Sequence, residues 1–387
     1  MNHAFVIDAL RTPIARHNGA LAEWQVHQLA GALIRELVKR NNIDPDVIDD
    51  VVLGNAAGPG GNPARVALLE AGLPVSVPGV TVDRQCGGGL ESINYAARLV
   101  QSGAASCVLA GGVESVSTAP RRADRQTGEF YNRAAFTPDW MDDPEMGIAA
   151  ENVARVYNIS RQRQDEFALD SHVKAASADA GGLLSTERLA LPADPRATRD
   201  SSLPVQTKVT GDECIRADCT LDGLASLQPV FDTSGTVTAG NACPLNDGAA
   251  VCLIVSESLL SKFPDVKPLR YKDGCAAGVE PELLGTGPIA ATQKLLARNP
   301  DLRMASVHSI EFNEAFAAQV LACVDALDID PGRLNRRGGA IALGHPFGAS
   351  GAILVTRLFH QLQPGQDGLA MLGIGGGMGL SAWLKAE

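Results

Sequence analysis

"TVDRQCGGGLESINYAARLV", residues 81–100, sets one cysteine between a β-type stretch and three glycines at the mouth of a helix. From Leu90 onward the apolar residues recur at helical spacing, whereas "GVTVDRQ" (79–85) reads as a buried strand. The whole is therefore strand, tight turn, helix. Cys86 at that turn is open to two readings. It is a small buried hydrophobe, as free cysteines usually are. Alternatively it is a nucleophile, its thiolate favoured by the positive end of the helix and the unpaired N–H groups there. Gly87, Gly88 and Gly89 carry no side chains, so a substrate can approach the backbone closely. A second stretch, "LAMLGIGGGMGL" (369–380), repeats the plan of apolar strand and glycine-rich turn, without a cysteine.

The flanking sequence alternates in the same way. "HAFVIDALRTP" (3–13) is a strand closed by a proline turn, and "HQLAGALIRELVKRNN" (27–42) is an amphipathic helix ending at Asn–Asn. "IDDVVLGNA" (48–56) is a strand, "NPARVALLEAG" (62–72) a helix closed by Gly72, and "SCVLAGG" (106–112) an apolar strand. Such alternation implies a layered α/β fold with a largely parallel sheet. From about 116 to 244 the chain turns polar and loop-rich around a helical region, 147–182, in which "SRQRQDEF" reads as a capped helix start. Alternation resumes at "DGAAVCLIVSE" (247–257), with helices over 289–298 and 314–327, strand-like "SVHSIEFNE" (306–314) and a final pair of strands. Two similar halves follow, 1–115 with 245–267 and then 268–387, with 116–244 as a loop domain inserted in the first.

Of the 387 residues, 45% are hydrophobic and 20% charged, which marks a folded chain rather than a disordered one. The formal net charge of −11 argues against a nucleic-acid or anionic-membrane partner. No apolar run approaches the roughly 18 residues of a membrane span; stretches such as "AAVCLIV" (249–255) are strand-sized. "MNHAFVIDALRTP" lacks the basic region of a signal peptide. Eight cysteines are dispersed with no CxxC pair or metal-ligand spacing, so reduced thiols, a cytoplasmic location and no metal site are expected.

In "NRRGGAIALGHPFGASGAILV" (335–355), His345 lies in a glycine-proline loop from which a helix opens. A lone histidine is more often structural, but this one is surrounded by glycines, as Cys86 is, in the corresponding half. A Cys–His pair activates a thiol by proton transfer, and the imidazole can then donate to a thioester oxygen. "EFNEAFAAQ" (311–319) sets Asn313 and Glu314 at a strand-to-helix junction, where simple helix capping is the competing reading.

Together these stretches resemble the thiolase family over essentially the whole chain. "VDRQCGGGLESI", "LAGGVESVSTAP", "GTVTAGNACPLNDGAA", "GTGPIAA", "NEAFAAQ", "GGAIALGHPFGASGA" and "GIGGGMG" stand in family order. The resemblance implies two similar five-stranded α/β halves in a five-layer αβαβα arrangement with an inserted loop domain. It implies an acyl-CoA acyltransferase that makes or cleaves 3-ketoacyl-CoA, with coenzyme A thioesters as substrates and no separate cofactor. Cys86 matches the acyl-accepting nucleophile and His345 the histidine that activates it. Asn313 matches the residue positioning a water in the second oxyanion hole. Gly375 matches the glycine whose N–H joins that of Cys86 around the oxyanion. Arg216, Ala239, Cys243, Leu245, Met146 and Phe316 match positions along the coenzyme A and acyl path. Because the tetramer-forming segment is trimmed, a homodimer is implied, with a tetramer as the alternative, and "SCVLAGGVE" matches the dimer-edge segment.

The chain departs from the family pattern at one catalytic position. Where the motif has a second cysteine that exchanges a proton with the α-carbon, this sequence has Gly373, and Ala315 stands at the alternative site for that cysteine. Glycine cannot titrate, and in that turn it could occupy a left-handed conformation that would resist a side chain. Two further readings follow: acyl transfer from Cys86 to water or another acceptor, and a non-catalytic acyl-CoA-binding homologue. Smaller departures are Cys243-Pro244 where Ser-Gly is common, and Glu145 where relatives place a histidine.

Overall fold

The computed structural model describes residues 2–198 and 207–387. Nine strands build the central sheet: β1 (Ala4–Arg11), β2 (Asp50–Gly54), β3 (Gly79–Val82), β4 (Cys107–Ser115), β5 (Asn246–Ser256), β6 (Leu269–Gly278), β7 (Ser309–Phe312), β8 (Asp367–Ile374) and β9 (Met378–Ala386). Their order is β3-β2-β4-β5-β1-β6-β9-β8-β7, and a two-residue strand, Ala15–Arg16, pairs onto β5. The two halves meet where β1 pairs β6 through Ala4–Tyr271, Phe5–Arg270 and Val6–Leu269. In the second half the fifth strand position is reduced to a bridge between Leu334 and Ile310.

The sheet is mixed rather than largely parallel. Only β2 with β3, β2 with β4 and β7 with β8 run parallel; the other main pairings are antiparallel. Parallel neighbours need a crossover, which helices supply here, whereas β8 and β9 are joined by the Gly375–Gly377 turn and must run antiparallel.

Helices follow the apolar periodicity. α1 (Val26–Arg40) turns its buried Leu29, Leu33 and Leu37 inward and ends at Asn41, with Lys39 and Arg40 at the negative end of its dipole. α2 (Pro63–Ala71) stops at Gly72, whose φ of 87° is the left-handed cap. These two cover the outer face of the first half, against Val51, Leu53, Leu109 and Val251. α3 (Gly88–Ser102) and α8 (Phe347–Phe359) fill the middle layer between the inner faces of both halves, and α6 (Gly287–Arg298) and α7 (Ala317–Leu327) cover the far side. Residues alternate between layers with the strand period of two: Val52 faces the middle, Val51 and Leu53 the outside. Gly89 lets α8 approach closely, because a Cβ there would stand 2.7 Å from the Gly348 carbonyl oxygen.

Strand β4, expected at a dimer edge, is fully buried between β2 and β5. The free edge is β3, read from sequence as buried but only half-buried here. Both runs are apolar, so composition alone does not separate a strand flanked on both sides from one at an edge.

Between β4 and β5 lie α4 (Met146–Val156), α5 (Arg161–Ala180) and short two-residue pairings. Ser160 caps α5 by accepting from the Arg163 N–H, as its sequence suggested. Buried charges tie this segment to the core: Arg11 on β1 donates to both carboxylate oxygens of Asp212 (2.7 and 2.9 Å) and to Glu187 (2.9 Å). Removing one partner would strand an unpaired buried charge, so the segment is held in register over the site. Among the described residues no helix is long and apolar enough to cross a membrane.

Candidate active site

Cys86 occupies the turn between β3 and α3. The turn is closed by the Gly87 N–H donating to Arg84 O (2.9 Å) and the Gly88 N–H to Gln85 O (3.0 Å). Gln85 is thereby held at φ 47°, a left-handed conformation that costs a non-glycine residue energy and here sits beside the reactive sulfur. Cys86 is half-buried, and the backbone N–H of Gly375 lies near enough its sulfur to favour the thiolate. Burial nevertheless pushes the thiol up to about 11, with the Gly375 N–H opposing and the charges of Glu114 and Asp83 adding to the rise. The expected thiolate is therefore not the resting form. Desolvation outweighs the helix end, because α3 begins only at Gly88 and Cys86 precedes its cap.

His345 lies in the loop entering α8 and is 1% exposed. Its Nδ1 is 2.6 Å from Ser350 Oγ, and the Ser350 hydroxyl donates to Pro346 O (3.1 Å). With that hydroxyl proton spent, Ser350 accepts from Nδ1–H, which assigns the lone pair to Nε2. Nε2 faces Asn313 Nδ2 at 3.4 Å. Burial lowers the imidazole to about 4, so His345 is neutral and able to accept a proton. Its main-chain N–H donates to Asn246 Oδ1 (2.8 Å), and Leu245 bridges it along the backbone.

Asn313 follows β7 directly and is buried, its N–H bonded to Met371 O (3.0 Å). Helix α7 starts at Ala317, so neither Asn313 nor Glu314 caps it. The Glu314 carboxylate accepts from Ser171 (2.7 Å), Asn335 (2.7 Å) and the Ile341 N–H (3.1 Å), fastening α5 and the 335–341 loop to the Asn313 backbone.

Burial pushes the Cys243 thiol up and the nearby Cys86 adds to the rise, while the Cys243 N–H donates to Ala315 O (2.9 Å). Cys86, Asn313, His345 and Gly375 are thus gathered around the 243–246 segment. Phe316 packs edge-on to Phe231 (6.3 Å), which lies on Gly147 beside Met146. Ala239 and Leu245 are exposed along the same strip. Arg216 stands on an exposed loop, with its N–H on His172 Nδ1 (3.2 Å), two residues from Cys214, which accepts from Asn246 (3.3 Å).

Gly373 is the penultimate residue of β8 and has no positive φ, so the left-handed strain expected for a side chain does not arise. A Cβ there would instead stand 2.6 Å from Gln319 Nε2.

Sequence reasoning missed Ser350, Asn246, Glu114 and Gln319. Glu114, fully buried, accepts from Ala56 N–H, Ala57 N–H, Gly348 N–H and Asn55, yet burial raises it to about 7. A charged residue inside the apolar run "CVLAGGVES" was the available signal. Among the described residues no group of three or more His, Cys, Asp or Glu is placed to hold a metal ion.

Residues 4–258 match the family model for the thiolase N-terminal domain, and residues 267–386 that for the thiolase C-terminal domain. A Staphylococcus aureus protein provisionally described as acetyl-CoA C-acetyltransferase VraB is 44% identical, over 99% of both chains. A Staphylococcus haemolyticus protein of the same provisional description is 44% identical, over 98% of this chain and 97% of its own. The crystal structure of the Bacillus anthracis acetyl-CoA acetyltransferase superposes with a TM-score of 0.89 at 35% identity, covering 100% of this chain and 99% of that one.

Proposed function

Since the chain belongs to the thiolase family and is an acyltransferase, we propose that its acyl transfer runs through a thioester on Cys86. The observation that supports this is a thiol beside the Gly375 N–H, in the same locale as a neutral histidine whose Nε2 carries the lone pair and faces Asn313. The Cys86 proton passes to His345 Nε2 as sulfur attacks the thioester carbon of an acyl-CoA. The Gly375 N–H supports the negative oxygen. The bond from carbon to the sulfur of coenzyme A then breaks, and the leaving thiolate takes the proton from His345. Because the thiol rests near 11 and the imidazole near 4, proton transfer accompanies attack rather than preceding it.

The acyl group then moves to a carbon acceptor, or in reverse a 3-ketoacyl-CoA is cleaved. That step needs a group to exchange a proton with the α-carbon, and Gly373 supplies none. We therefore propose that condensation and thiolysis are slow relative to acylation. Transfer to water or to another acceptor is the second reading, favoured by that glycine alone. Turnover of acetoacetyl-CoA with coenzyme A, compared with the rate of Cys86 acylation, tests the order: brisk thiolysis would show that another group replaces the missing side chain.

The same proposal carries a cytoplasmic homodimer with no resident cofactor, coenzyme A being substrate. The dimer contact is placed at the β3 edge, where Val75 is 80% exposed and Val66 and Leu69 are also exposed. A monomer by light scattering at micromolar concentration would contradict it.

A further inference from the structure

Gln319 lies on α7 beneath the end of β8 and is 2% exposed, and neither its Nε2 nor its Oε1 has a hydrogen-bond partner among the described residues. Its amide takes the volume that a side chain at position 373 would use, since a Cβ on Gly373 would stand 2.6 Å from Nε2. The same point is 3.5 Å from Gly285 O, to which the Cys323 thiol donates (3.5 Å). Two residues along the chain, the Gly375 N–H lies near the Cys86 sulfur. Strand residues advance roughly 3.3 Å each, so position 373, and the amide that fills its space, lie within acyl-chain reach of Cys86.

A buried carboxamide with both groups free is unfavourable until something pairs it. A methylene pairs neither group, and a ketone oxygen pairs only the N–H. A hydroxyl both donates and accepts, and so matches Oε1 and Nε2–H together. We propose that Gln319, in the room left by Gly373, forms a polar subsite for a hydroxyl on the third carbon of the acyl chain. The preferred acyl donors are then hydroxyacyl-CoA thioesters. This inference rests on acylation at Cys86.

The test compares acylation of Cys86 by butyryl-CoA and by 3-hydroxybutyryl-CoA, followed as intact mass under subsaturating conditions. The unaltered protein is expected to take the hydroxyacyl group about tenfold faster or more. Gln319→Leu keeps the bulk and adds an apolar side chain near Val153, so it should fold, which a melting curve confirms. In that variant the ratio should fall to about one or below. Equal rates in the unaltered protein, or an unchanged ratio in Gln319→Leu, would overturn the subsite alone. Acylation by neither thioester would overturn the Cys86 reading, and the subsite with it.

Discussion

Replacing Gly373 by cysteine separates geometry from chemistry at the step where this chain departs from its family. Gly373 sits in regular strand with no positive φ, so the backbone itself accepts a side chain. The obstacle is one atom, Gln319 Nε2, at 2.6 Å from the new Cβ. That is the far end of a flexible side chain, so it can swing aside, but overfilling a packed site costs about 1–3 kcal/mol. The new thiol would supply the group that exchanges a proton with the α-carbon, and general acid–base catalysis contributes about 10²–10⁴-fold. Gly373→Cys is therefore expected to lose about 1–3 kcal/mol of stability while raising acetoacetyl-CoA thiolysis by about 10²-fold or more. Adding Gln319→Ala should restore the stability and keep the gain in rate. Thermal unfolding and steady-state thiolysis read the two effects separately. A stable Gly373→Cys protein with unchanged thiolysis would refute the reasoning, because position 373 would then not reach the substrate carbon.

Two other perturbations address the histidine. Ser350→Ala removes the acceptor of His345 Nδ1–H and leaves that donor buried and unpaired, a cost of about 1–3 kcal/mol; acylation should slow by about 10–100-fold with little change in KM, and an unaltered rate would count against the tautomer assigned here. Acid should weaken the protein through His345. Its pKa falls from 6.5 to about 4 on folding, so the unfolded chain takes up the proton first and stability is lost as pH drops from 6.5 to 4. The loss amounts to about 3 kcal/mol for this group. Denaturant titrations of the protein against His345→Gln isolate it from Glu114, whose pKa, raised to about 7, acts with the opposite sign. A difference between the two proteins that does not change over that range would contradict the buried neutral imidazole.

The layered α/β plan was legible because strand and helix periods alternate cleanly and Gly72 and Gly103 close helices in left-handed caps. Pairing direction was less so, since it depends on which strands become neighbours: β5 lies between β1 and β4 and runs antiparallel to both, though more than a hundred residues separate it from either. The sheet edge was misplaced for a similar reason, apolar β4 being enclosed and β3 left free. In the candidate site, Cys86, His345 and Asn313 stood out by their turns and junctions, and Gly375 only through the family resemblance. Ser350 did not, because a serine early in a helix has many ordinary uses, and its role emerges only from the 2.6 Å contact. Glu314 resembled a cap locally, yet its carboxylate is committed to Ser171, Asn335 and Ile341. The high thiol pKa of Cys86 is a matter of burial, which local sequence does not encode.

The most direct measurement is the intact mass of the protein after incubation with acetyl-CoA, followed by peptide mapping. One acetyl group per chain is predicted, on Cys86, absent in Cys86→Ser and strongly reduced in Ser350→Ala. A correctly folded protein that acquires no acetyl group, or acquires it on another cysteine, would contradict the covalent route.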